Sequence, residues 1–308
     1  TNANAAVEVT RTVNVVDTTV PVITLTGEST VTIEVGSTYT DAEATAIDNY
    51  DGDITSSIVT VSTVDTAVVG VYTVTYNVTD ANANAAVEVT RTVNVVDTTV
   101  PVITLLGEGP VTIEVGSTYT DDGATALDNY DGDLTSSIAT VSTVDTAVVG
   151  VYTVTYNVTD ANSNVAVEVT RTVNVVDTTV PVITLLGDAT VEIEVGSTYT
   201  DDGATATDNY DGNLTASIVE VSTVDTTVVG VYTVTYNVTD ANANAAVEVT
   251  RTVNVVDTTV PVITLLGDAT VEIEVGSTYT DDGATALDNY DGDLTSSIVV
   301  TGTVDTDT

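Results

Sequence analysis

Apolar and polar residues alternate in short runs along most of the chain, with a period of two. Val31, Ile33 and Val35 alternate with Thr32 and Glu34. Tyr72, Val74, Tyr76 and Val78 alternate with Thr73, Thr75 and Asn77, and Val87 and Val89 with Glu88 and Thr90. Successive side chains of a pleated strand point to opposite faces, so this pattern predicts half-buried antiparallel strands. The first full set of runs predicts strands near 21–27, 31–35, 41–47, 55–63, 70–79 and 85–96, with a short further piece near 64–68. Gly27, Gly36 and Gly70 mark turns, and Gly52 marks one inside an acidic loop. Val93 and Val95 keep the inward parity of Val87 and Val89, which turns Arg91 inward too. A buried lone guanidinium is costly. The sequence therefore requires a parity-flipping bulge or an ion pair, at the rim of the sandwich, with an acid such as Glu34 or Asp41.

The pattern repeats. RTVNVVDTTVPVITL begins at Arg11, Arg91, Arg171 and Arg251, a spacing of 80 residues, and the copies at 97–176 and 177–256 differ at only a dozen positions. That period is too long for one solenoid coil and suits a small β-sandwich. Boundaries at Asp17, Asp97, Asp177 and Asp257 give three complete modules, 17–96, 97–176 and 177–256. Residues 1–16 read as the C-terminal strand of a preceding module and 257–308 as a truncated fourth. Together these two pieces lack the equivalent of 69–80, a whole strand, so the chain reads as a window on a longer array.

Composition narrows the class. The chain is 43% hydrophobic, with 14 Tyr and no Phe, Trp or Met. That apolar content excludes a disordered acidic chain. Val, Ile, Thr and Tyr favour strands, so the fold class is all-β. Forty-six acidic residues face four basic ones, a net charge of −42. Such a chain repels phosphate backbones and anionic membrane surfaces, which argues against nucleic acid and membrane partners. Self-repulsion also stresses the fold unless cations compensate. All the bases are Arg. Without Cys there is no disulfide, and without Lys no Lys–Asn isopeptide crosslink. Paired carboxylates alone suggest glycosidase chemistry, but they recur in every module. With no His, Cys, Lys or Trp there is no usual partner for a nucleophilic serine, so the chain is not expected to be an enzyme. Neither a signal peptide nor a membrane span is visible.

In order along each repeat, DTTVPVITL, VTIEVGSTYTD, ATALDNYDGDLTSSI and VGVYTVTYNVTDANAN resemble the bacterial immunoglobulin-like repeats of large surface proteins, which are similar to HYR and PKD-like modules. The resemblance covers essentially the whole chain. It implies seven-stranded immunoglobulin-like sandwiches in long arrays on secreted or cell-surface proteins, often adhesins, and no catalysis. GVYTVTY also resembles the tyrosine-corner strand, with Tyr72, Tyr152 and Tyr232 as candidates.

In such a sandwich the loop between strands B and C, the loop between F and G, and the N-terminus share one end. The first loop carries Asp48, Asp51 and Asp53, the second Asp80, Asn82 and Asn84, and Asp17 sits in the linker. Three acidic segments therefore converge. Crowded carboxylates repel one another, and a hard divalent cation relieves this. Calcium takes 6–8 oxygen ligands, and no His or Cys is present for zinc. The expected ligands are Asp17, Asp48, Asp51, Asp53, Asp80 and Asn82 in the first module. The second has Asp97, Asp128, Asp131, Asp133, Asp160 and Asn162; the third has Asp177, Asp208, Asp211, Asn213, Asp240 and Asn242. Asp257, Asp288, Asp291 and Asp293 belong to the fourth. Asn213 replaces an acid, so the third site is expected to be weaker. The competing reading is that Asp, Asn and Gly simply make good turns.

The expectation is an extended rod of modules, an extracellular or cell-surface stalk stiffened by calcium, whose partners are its own neighbouring modules. One alternative is a self-assembling filament of identical chains. Another is an adhesive module presenting outward Thr rows such as Thr73, Thr75 and Thr79 to carbohydrate or ice.

Overall fold

The computed structural model describes residues 2–308. Its contacts divide into two compact units. One comprises the residues up to Val111 with Tyr119–Asp145 and Val151–Asn174; the other comprises Thr112–Thr118, Thr146–Gly150 and Val175–Thr308.

In the first unit, the first repeat forms β1 (Val22–Leu25), β2 (Thr30–Glu34), β3 (Ala44–Asp48), β4 (Gly52–Asp53), β5 (Val59–Ser62), β6 (Gly70–Asn77) and β7 (Val89–Val96). These make two sheets, ordered β1-β3-β4 and β2-β7-β6-β5. Ile23, Ala44 and Ala46 from one sheet meet Val74, Tyr76 and Val93 from the other in a single core. Burying each of the larger apolar side chains contributes roughly 1.5–3 kcal/mol. The second repeat, whose residues Thr112–Thr118, Thr146–Gly150, Val175 and Val176 fall in the other unit, supplies β8 (Val102–Leu105), β9 (Val111–Glu114), β10 (Ala124–Asp128), β11 (Gly132–Asp133), β12 (Ala139–Ser142), β13 (Gly150–Asn157) and β14 (Val169–Val176). Its smaller sheet is ordered β8-β10-β11.

In the second unit, the third repeat forms β15 (Val182–Leu185), β16 (Thr190–Glu194), β17 (Ala204–Asp208), β18 (Gly212–Asn213), β19 (Val219–Ser222), β20 (Gly230–Asn237) and β21 (Val249–Val256). Its sheets are β15-β17-β18 and β16-β21-β20-β19, around a core equivalent to the first. The fourth repeat keeps one sheet of β22 (Val262–Leu265), β23 (Ala284–Asp288) and β24 (Gly292–Asp293).

The fold is all-β, as the alternation predicts, with four local differences. First, the pairing is mixed: β2 runs parallel to β7, and β16 parallel to β21. Second, the expected strand 55–63 opens with a 3-10 turn, Thr55–Ser57, and no strand forms at 64–68. Third, the last strand begins at Val89 rather than 85. Thr79 and Ala85 make only an isolated bridge, and Val87 is 77% exposed. Fourth, residues 2–16 carry the β7 sequence yet form no strand, and neither do Val271, Ile273 and Val275 in the fourth repeat. The reason is common to both. β2 and β7 each need the other as a ladder partner, and an unpaired extended segment leaves its main-chain groups to water.

Arg91 does point inward, and an ion pair resolves it. It is 1% exposed, deeper than a rim position, and bridges to Asp41. It also donates to the carbonyls of Thr26, Glu28 and Glu43 and lies over the Tyr76 ring, 5.8 Å from its centre. Tyr76 donates to the same carboxylate. Desolvation and the negative Asp41 together push the Tyr76 phenol far above its usual range. The Tyr72 hydroxyl donates to the Val68 carbonyl at 2.9 Å, and Tyr232 to Val228 at 3.0 Å, which is the geometry of a tyrosine corner.

Candidate metal centre

Where the linkers enter the first three sandwiches, carboxylates from three distant segments meet, and in the fourth repeat carboxylates from two. In the first repeat Asp17, Asp48, Asp51 and Asp80 each bring one oxygen within 4.8 Å of the others. The same holds for Asp97, Asp128, Asp131 and Asp160, for Asp177, Asp208, Asp211 and Asp240, and for Asp257, Asp288 and Asp291.

Local geometry explains the convergence. Asp48 ends β3, and its Oδ2 accepts the main-chain N–H of Tyr50 (2.7 Å) and Asp51 (3.0 Å), folding the acidic loop around itself. Gly52 follows at φ 75°, with open space where a Cβ would lie, so backbone conformation is what favours glycine there. The second loop wraps around Asp80. Its Oδ1 accepts from the N–H of Asn82 (2.9 Å) and Asn84 (2.7 Å), and its Oδ2 from the Asn84 amide (2.8 Å). Burial works to raise the Asp80 pKa, but these hydrogen bonds outweigh it and hold the group below its ordinary value. The loop closes through residues with left-handed backbone: Ala83 at φ 71°, Ser163 at 75° and Ala243 at 70°. Asp51 joins the loops by accepting the Ala81 N–H at 3.0 Å. Asn82 and Asn84 then hold the linker, donating to Asp17 Oδ2 (3.1 Å) and to the Asp17 carbonyl (3.3 Å).

The donor set suits a hard cation. Every contributing atom is a carboxylate oxygen. Asp48 is 3% exposed, and its Oδ1 is buried with no hydrogen-bond partner. Asp128 Oδ2, Asp208 Oδ2 and Asp288 Oδ2 are unpartnered in the same way, as is Asp257 Oδ1. A buried anion oxygen without a donor is expensive. The crowding is also electrostatic: desolvation, then repulsion from Asp288, Glu194 and Asp291, push the Asp257 carboxyl above its usual value.

Some expected ligands lie elsewhere. Asp53, Asp133 and Asp293 are outside the convergent groups. Each turns its Oδ1 to the main-chain N–H two residues on, at Thr55, Thr135 and Thr295, 2.9 Å in each case. Asn213 does the same to Thr215 at 3.0 Å. An amide oxygen accepts that bond as well as a carboxylate does, so the Asp-to-Asn change leaves the turn intact. The third group keeps its four aspartates, and the structure gives no reason for it to be weaker. Asn162 and Asn242 repeat the Asn82 contact, to Asp97 and Asp177, at 2.9 Å each.

Three kinds of contact were not assigned from the sequence. Asn84, Asn164 and Asn244 grip the linker carbonyl. Glu34, at the end of β2, accepts from the N–H groups and hydroxyls of Thr98 and Thr99 in the next linker. The Thr98 main-chain bond, then the Thr98 and Thr99 hydroxyls, hold its carboxyl down at about 2. Glu114 and Glu194 do the same for the following linkers. Finally, Tyr130 and Tyr210, inside the acidic loops, reach the repeat before them. The only advance signal for these was position: an acid at a strand end facing Thr-Thr, and one aromatic in a loop of turn-formers.

Two-sheet modules in tandem, each with an all-oxygen acidic cluster where its linker enters, define a class of tandem immunoglobulin-like β-sandwich proteins. The chain belongs to the family described as bacterial surface protein, Ig-like domain, whose model matches residues 23–95, 103–175, 183–255 and 263–308. It is 35% identical over 314 residues to hyalin of Lytechinus variegatus, covering 90% of this chain and 56% of that protein. It is 32% identical to hyalin of Strongylocentrotus purpuratus, covering 85% of this chain and 23% of that one. It is 30% identical to the serine-rich adhesin for platelets of Staphylococcus aureus, over 66% of this chain and 10% of the adhesin. The chain thus spans little more than half of the first relative's length and less of the others. These matches place it in the extracellular or cell-surface space. Among the described residues no helix is long and apolar enough to cross a membrane.

Proposed function

We propose that the chain is an extender segment of a surface protein, in which calcium at the carboxylate clusters fixes each linker onto the module it enters. One observation carries this reading. Every cluster includes the linker aspartate, Asp17, Asp97, Asp177 or Asp257, together with loop aspartates of the module that follows. A cation held by both removes the linker's freedom, and a string of modules becomes a stiff rod. The module boundaries then fall at those linker aspartates. Because the cation binds only the folded arrangement, it also adds stability by mass action, about 2.7 kcal/mol at a hundred times its dissociation constant.

Thermal unfolding of the chain in millimolar calcium, and again in excess chelator, tests this. For modules of this size that binding energy corresponds to roughly 10–20 °C in Tm. Coincident melts would leave the acids as turn and solubility residues.

An adhesive role for the modules themselves is the second reading, favoured by the relation to an adhesin. The β5-β6-β7-β2 sheet turns Thr73, Thr75, Thr90 and Thr92 away from the core, side by side in register. A glycan array probed with the chain addresses it. Assembly into a filament of identical chains predicts a calcium-dependent rise in mass in solution.

A further inference from the structure

The geometry points to the tyrosine of the acidic loop as the residue that transmits cation occupancy to the preceding module, with that module's Val-Val-Gly turn as its docking partner. The inference rests on the calcium reading above and deepens it. Tyr130 lies between Asp128 and Asp131 of the second repeat. Its hydroxyl accepts the main-chain N–H of Val69 in the first repeat at 3.4 Å. Tyr210 accepts the N–H of Val149 at 3.3 Å, with the same 61-residue separation. The receiving turn is itself shaped by the tyrosine corner, since the Tyr72 hydroxyl holds the Val68 carbonyl.

The loop aspartate has divided duties in every repeat. One oxygen of Asp128 accepts the N–H of Tyr130 (2.8 Å) and of Asp131 (2.9 Å), and the other oxygen is buried without a partner. Asp208 divides its oxygens in the same way around Tyr210. So does Asp48 around Tyr50, and there the residue is nearly fully buried and contributes one oxygen to the cluster. A cation drawn to the free oxygen fixes the carboxylate plane. The other oxygen then fixes the main chain that carries the tyrosine. The path is short and continuous: cation, Asp128, Tyr130 main chain, phenol, Val69 N–H. Exposure matches the partnership. Tyr130 and Tyr210, each bonded to the turn before it, are 37% exposed; Tyr290, which follows such a turn without that bond among the described residues, is 42% exposed, and Tyr50 is 74% exposed.

The test compares the 308-residue chain with its double variant Tyr130→Phe, Tyr210→Phe. Calcium binding is read by calorimetry, extension by small-angle X-ray scattering, and protection of the Val69 and Val149 amides by hydrogen exchange. The expected result is unchanged calcium stoichiometry in the variant, loss of the calcium-induced increase in maximum dimension, and loss of protection at both amides. In the unaltered chain, chelator alone removes the same protection, a readout independent of how the variant folds. If the variant binds calcium and extends as fully as the parent, the transmission role is overturned while the calcium reading stands. If the parent binds no calcium, both fall.

Discussion

At the scale of single residues, the costliest group in each module is its buried arginine. Arg91 is compensated by Asp41 and by three main-chain carbonyls. Asp41→Ala strands the guanidinium, and loss of one member of a buried pair costs about 3–5 kcal/mol. Replacing both partners with apolar residues is often harmless elsewhere. Here it takes the donor from the carbonyls of Thr26 and Glu28, at about 1–3 kcal/mol for each left unsatisfied, while the Glu43 carbonyl keeps the Thr26 N–H at 3.0 Å. The double variant Asp41→Leu, Arg91→Met is therefore expected to stay destabilised, and chemical denaturation of both variants checks this. Full recovery in the double variant would mean the carbonyl contacts contribute little. A second residue-scale effect runs the other way. Ala83, Ser163 and Ala243 sit at positive φ, where a Cβ costs roughly 1–2 kcal/mol. Ala83→Gly, Ser163→Gly and Ala243→Gly should each stabilise their module by about 1 kcal/mol, offset in part by unfolded-chain entropy. An unchanged or lowered Tm in all three would count against strain in this loop.

At the scale of elements, the informative unit is a strand end paired with the linker beyond it. Glu34, Glu114 and Glu194 close the second strand of three repeats and clamp the next Thr-Thr pair. Each has its carboxyl lowered from 4.5 to about 2. A depressed folded-state pKa contributes stability that is fully present above the unfolded value, near 4.5, and is lost as pH falls toward about 2. The triple variant Glu34→Gln, Glu114→Gln, Glu194→Gln is therefore expected to lose less stability than the parent when taken from pH 5 to pH 2.5. Parallel acid-denaturation curves for the two proteins would remove the clamp from the account. The same element shows where local pattern reaches its limit. β2 alternates well, yet its register and parallel direction come from β7, more than 50 residues later.

At the scale of the whole molecule, charge dominates. A net charge of −42 with no lysine makes the folded array self-repelling, and the repulsion concentrates at the clusters. The Debye length falls from about 30 Å at 0.01 M salt to about 3 Å at 1 M. In chelator, then, Tm should climb steeply with sodium chloride, and in millimolar calcium the climb should be shallower because the closest repulsions are already neutralised. A chelated protein indifferent to salt would show that the charges are too dispersed to matter. The proposed calcium staple and general screening by salt both lower this repulsion, which is why salt and calcium are the variables to separate.

The sequence by itself determined the all-β class and the 80-residue period, raised the parity question at Arg91, and, through the immunoglobulin-like resemblance, predicted the convergence of three acidic segments. The first three follow from local rules, side-chain alternation, internal repetition and parity along a strand, and the last from loop placement in a two-sheet sandwich. Tertiary structure decided the rest. It separated Asp51 from Asp53, two residues apart on the same loop, turning one into the cluster and the other back onto Thr55. It left the β7-like residues 2–16 without a strand, because pattern alone supplies no ladder partner. It also brought Glu34 to the next linker and Tyr130 to the previous turn. These are contacts between segments about 60 residues apart, and their distance is set by how two sheets pack and how one repeat follows another. No periodicity within a single strand encodes that.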